Sequence, residues 1–77
     1  MTLYRFHVRI DAEFIPDGEG IELPILSAAL REALRSAREF RAEAEAPGSM
    51  HFEIADPAGE IVLRVPIFDP QARVQHH

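Results

Sequence analysis

The chain has 77 residues, a formal net charge of −5 and no cysteine. A domain of this size buries only about 60–65% of the surface its unfolded chain exposes, and without thiols it has neither disulfides nor thiolate metal sites to supplement that core. All eight basic residues are arginine, and the acidic balance works against binding a phosphate backbone unless those arginines gather on one face.

Residues 2–10, TLYRFHVRI, alternate strictly, with Tyr4, Phe6, Val8 and Ile10 on one side and Leu3, Arg5, His7 and Arg9 on the other. This is the pattern of a half-buried strand. Asp11-Ala12 is a turn, and Glu13-Phe14-Ile15 a short second strand pairing back on the first. Residues 16–23, PDGEGIEL, have loop composition; Ile21 and Leu23 are expected to tuck under the element that follows.

That element, from Pro24 to Ala46, is one long amphipathic helix. Leu26, Ala29, Leu30, Ala33, Leu34, Ala37, Phe40 and Ala44 recur three and four residues apart and form a single apolar stripe. Pro24 suits the first helical position, with Ser27 as an alternative cap; Pro47 and Gly48 end the helix. Glu32–Arg35, Arg35–Glu39 and Arg41–Glu45 are solvent-side pairs, each contributing a few tenths of a kcal/mol.

Met50 to Ala55 alternates again, with Met50, Phe52 and Ile54 inward and His51 and Glu53 outward. Asp56-Pro57-Ala58-Gly59 is a turn in which the Asp carboxylate accepts from the backbone beyond it and Pro presets φ. Glu60 to Val65 completes a hairpin, with Ile61, Leu63 and Val65 inward and Val62 and Arg64 outward. Pro66 stops the ladder or confines it to an edge. The ordered core is expected to span about 2–66 of a single domain, 1–77, with a frayed tail over 67–77.

The fold class is therefore α+β, in the order β-β-α-β-β. A right-handed crossover gives a four-stranded antiparallel sheet of spatial order 2-1-3-4, with one long helix packed on one face. The other face stays open and displays Arg5, His7, Arg9, His51, Glu53 and Arg64, the candidate interaction face. Two imidazoles and a carboxylate can ligate a metal, but histidines on separate strands are a weak signal beside ordinary cross-strand pairing of Arg with Glu. No metal, cofactor or catalytic residue is assigned. Base stacking needs aromatics on the open face, whereas Tyr4, Phe6 and Phe52 have inward parity, which argues against nucleic acid. The acids Asp11, Glu13, Asp17, Glu19 and Glu22 do not match an EF-hand loop. No apolar run reaches a membrane span and the N-terminus lacks a signal-peptide layout, so a cytoplasmic protein is expected.

Tyr4-x-Phe6-His7-Val8-Arg9 near the N-terminus, Ile15-Pro16-Asp17-x-Glu19-Gly20-Ile21-Glu22-Leu23-Pro24, a helix beginning Leu26-x-x-Ala29 with Ala33-Leu34-Arg35-x-Ala37-Arg38-Glu39, and Phe52-Glu53-Ile54-Ala55-Asp56-x-x-Gly59 together resemble a family of short, chiefly alphaproteobacterial proteins known as a domain of unknown function. The resemblance runs from Tyr4 through Phe68. It departs at Ile10-Asp11-Ala12-Glu13, where the family favours an Asp-Gly turn, and in a shorter segment after the helix. It implies a compact single domain and carries over no functional residue. Phe14-Ile15-Pro16-Asp17 and Leu30 to Glu39 are also similar to the HicB-type antitoxin domain over about half the chain, which would imply binding a small RNase. The expectation is a non-catalytic interaction module, a homodimer formed through the open sheet face or an edge strand. The alternative is an antitoxin-like or RNA-directed regulator that binds a small protein or nucleic acid.

Overall fold

A computed structural model describes residues 1–43 and 48–68. The elements are β1 (Thr2–Ile10), β2 (Glu13–Ile15), β3 (Ile21–Leu23), α1 (Leu26–Glu43), β4 (Met50–Ala55) and β5 (Ile61–Phe68). All pairings are antiparallel: β2-β1-β4-β5 forms the main path, and β3 also pairs with β1. The expected α+β class and the order of the four expected strands are found. Among the described residues the sheet nevertheless has five strands, because the segment read as loop contributes β3, whose Ile21 and Leu23 pair with Tyr4 and Thr2. Loop composition masked it: three residues are too few to show an alternation.

The first turn closes without a glycine. Asp11 takes a left-handed φ of 52°, which aspartate tolerates better than most residues. Its N–H donates to the Ser49 carbonyl at 2.8 Å and its carboxylate accepts from the Ser49 N–H at 3.1 Å. The turn is thereby tied to the start of β4. The second turn forms as its sequence indicates, with the Asp56 carboxylate accepting from the Ala58 and Glu60 N–H groups at 3.0 and 2.9 Å.

The helix starts at Leu26, two residues after Pro24, so Pro24 is not its first residue and Ser27 is not its cap. The Ile25 carbonyl accepts the first helical bonds, from the N–H groups of Ala28 and Ala29. The expected stop at Pro47, the Arg41–Glu45 pair and the role of Ala44 lie outside the described residues.

One face of the sheet is covered as the alternation requires. Ala29, Ala33 and Ala37 are fully buried, and Met50, Phe52, Ile54, Val65 and Tyr4 meet them from the sheet. Alanine at every fourth position lets the helix backbone come close, and α1 lies nearest β5. Phe52 receives the edges of its aromatic neighbours, with centroids 6.1 Å from Phe6 and 5.8 Å from Phe40. The leucines of the expected stripe are not core: Leu26, Leu30 and Leu34 are 40, 37 and 47% exposed. The buried arc is centred on the alanines, and the leucines sit on its shoulder.

Two register shifts alter β5. Val62 is an extra residue opposite β4, so Ile61 pairs with Ala55, itself the partner of Arg5, and does not join the core as expected. The strand also continues past Pro66, and Ile67 is fully buried. An edge strand tolerates this proline because its nitrogen can face away from the ladder. β5 thus reaches Phe68, past the expected end of the last strand; the expected tail over 69–77 lies outside the described residues.

Candidate functional site

The pleat of β1 sends Arg5, His7 and Arg9 to the face away from α1. Register then sets His7 beside Glu53 and Glu53 beside Arg64, while Arg9 lies between Phe14 and His51. All six residues of the expected face are on this side, and among the described residues no second layer covers it.

Glu53 is its centre. The residue is only 6% exposed, although it lies on the open side, because its neighbours close over it. Arg9 Nε donates to Oε2 at 3.0 Å and Nη2 reaches Oε1 at 3.5 Å. His51 Nε2 lies 3.0 Å from Oε2. A carboxylate can only accept, so that nitrogen carries the proton. Arg64 Nε stands 3.6 Å from the same oxygen and completes an ion pair without a hydrogen bond. The hydrogen bonds from Arg9 and then His51 hold the Glu53 carboxyl down to about 2, overcoming the desolvation that opposes them. A group that stays ionised down to that pH is a poor proton shuttle near neutrality; the arrangement is an electrostatic hub.

Arg5 and His7 have a different fate. The loop between β2 and β3 folds back onto them through Asp17. The Asp17 N–H donates to His7 Nδ1 at 2.9 Å, which places that ring's neutral proton on Nε2, and Arg5 Nη1 donates to the Asp17 carbonyl at 3.2 Å. The Asp17 carboxylate accepts from the N–H groups of Phe6, Glu19 and Gly20 at 3.0, 3.0 and 3.1 Å. Partial burial pushes this carboxyl up, but the three N–H donors, aided by His7, hold it below its ordinary value. The Pro-Asp-x-x-Gly segment is therefore a clamp on β1. Gly20 belongs to it: φ is +76°, and a Cβ there would lie 2.9 Å from Leu3 Cδ1 and 3.0 Å from the Tyr4 carbonyl oxygen.

The sequence reading missed two members of this face. Phe14 comes from β2 to lie beside His7, centroids 5.1 Å apart, with the Arg9 guanidinium 4.9 Å from its ring centre. The expectation that the open face lacks aromatics is thus corrected: Phe14 is there, 42% exposed. Pairing β2 back on β1 from the turn sets Phe14 against Arg9, and this would have been the signal. Asp17 could have been found from its place three residues before Gly20, where a side-chain carboxylate can close a turn.

Among the described residues, no three of His, Asp and Glu come together as a metal-ligand set, and no helix is long and apolar enough to cross a membrane. The comparisons match no curated protein and no solved structure. A family model does match, over residues 3–69. The chain accordingly belongs to the family described as a domain of unknown function, DUF6894.

Proposed function

We propose that this chain is a non-catalytic, cytoplasmic interaction module that acts as a homodimer joined along the outer edge of β5. The supporting observation is the row Leu26, Leu30 and Leu34, each more than a third exposed and spaced four residues apart on one helix shoulder. With a right-handed crossover from β3 to β4 and the alanines facing the sheet, that shoulder overhangs the edge of β5 turned away from β4. The row is symmetric about Leu30, so a two-fold axis there sets Leu26 of one copy against Leu34 of the other, an isologous contact.

The open face is a poorer choice for self-pairing. It carries Arg5, Arg9 and Arg64 against the two carboxylates of Glu53 and Asp17, an excess of cations, so two copies face to face would repel. Magnitudes set the expected strength. Burying a leucine fully stabilises by about 1.5–3 kcal/mol, so each partly exposed leucine recovers on the order of 1 kcal/mol. Association costs an estimated 4–15 kcal/mol, so six leucines alone make a weak dimer. Backbone pairing of β5 along the stretch before Pro66 adds to them.

Light scattering on the intact chain tests this reading. Twice the chain mass at micromolar concentration, reduced to one chain mass by Leu30→Glu with unchanged circular dichroism, supports it; a monomer throughout overturns it. A second reading, an antitoxin-like or RNA-directed regulator, is favoured by Phe14 with Arg9 stacked on it, since base recognition uses such rings. It expects a small RNase or an RNA to co-purify from native cells.

A further inference from the structure

We propose that the open sheet face binds an acidic, extended segment of a partner protein, with a carboxylate seated between His51 and Arg64. The argument begins with a charge imbalance. Arg9, His51 and Arg64 converge on the single carboxylate of Glu53, so the group as a whole stays cationic in a chain whose net charge is −5. The three do not share Glu53 equally. Arg9 is engaged with it through two nitrogens, whereas the Arg64 guanidinium makes no hydrogen bond among the described residues and its side chain is 69% exposed. Its guanidinium is therefore a fork of donors held in place by an ion pair and open to a second carboxylate.

A shallow depression adjoins it, with a volume of about 220 Å³, lined by Ser49, Met50, His51, Arg64, Pro66 and Phe68. That lies below the roughly 300 Å³ at which pockets begin to enclose drug-sized ligands, so the space suits one side chain or a small anion. Ser49 and His51 contribute polar groups to this lining, and Pro66 an apolar one. The cationic strip is also short. On the β2 side the loop that folds back over Arg5 and His7 brings Asp17 and Glu19, which would repel a long uniform polyanion running across the sheet. A protein segment with two or three acids fits within it, and a nucleic-acid strand does not.

The test is amide chemical-shift mapping on the intact protein, with hexaglutamate as the probe and a uridine-rich single-stranded RNA of matched charge as the comparison. Hexaglutamate should move the amides of Ser49, His51 and Arg64, with the effect suppressed by added salt. Arg64→Gln, at an exposed position that leaves the fold intact, should weaken the interaction about tenfold, while Arg38→Gln on the helix should leave it unchanged. The proposal is overturned by shifts centred on Arg31 and Arg38, by an Arg64→Gln variant that binds like the parent, by no shifts at all, or by RNA binding more tightly than hexaglutamate.

Discussion

The two faces of this sheet are held by different physics. On the covered face, three alanines bring a helix down onto Met50, Phe52, Ile54 and Val65, and stability comes from excluded water and close packing, which salt and pH barely touch. On the open face, Glu53 and Asp17 gather arginines, histidines and backbone N–H groups into two polar clusters, whose strength depends on the charge of two carboxylates. A fault in the first should lower stability under all conditions. A fault in the second should be visible only within a window of pH.

The largest effects therefore belong to the covered face. Ile54→Ala, at a residue with no exposure, leaves a cavity and should destabilise by about 4 kcal/mol. Ala33→Leu forces bulk between α1 and β5 and should cost about 3 kcal/mol. Urea unfolding should show both losses, unchanged in size between pH 4 and pH 8; a loss that varies over that range would blur the division between the faces. Next comes the clamp. Gly20→Ala combines a left-handed φ with close contacts to Leu3 and Tyr4 and should lower stability by about 2 kcal/mol, with the amides of Phe6 and His7 the most shifted in NMR spectra.

The hub effect is smaller and conditional. Glu53 has its pKa lowered from the ordinary 4.5 to about 2, so its contribution is fully present above pH 4.5 and is lost as the pH falls from there towards 2. Glu53→Gln should cost about 1–2 kcal/mol at pH 7, allowing for solvent screening around Arg9 and Arg64, and progressively less below pH 4. A penalty that persists undiminished at pH 2.5 would show that Glu53 acts by packing and not by charge.

The same division explains what could be read from the residues alone. Strand alternation and helical period are local patterns, so the covered face was legible: Tyr4, Phe6, Phe52 and the alanine ridge all face the side their spacing indicates. The open-face set Arg5, His7, Arg9, His51, Glu53 and Arg64 followed from the same parity. What was not legible depends on register or on contacts distant in sequence. The extra residue at Val62 turns Ile61 away from the core, and an edge position allows β5 to continue through Pro66 to Ile67. Asp17 finds its partners on β1, ten or more residues away. The helix, too, is rotated so that its alanines are buried and its leucines are not. Hydropathy favours the reverse, but only small side chains permit so close an approach to β5.

That rotation is the basis of the proposed dimer, and the chain's lack of cysteine gives a direct way to probe it. Leu30→Cys places a thiol at the two-fold axis, and Glu39→Cys places one on the opposite helix shoulder as a control. Under mild oxidation at micromolar protein, Leu30→Cys should form a disulfide-linked dimer quickly and nearly completely, with Glu39→Cys remaining monomeric. Equal cross-linking of the two variants, or none for Leu30→Cys, would contradict the assignment of the leucine row as the contact between copies.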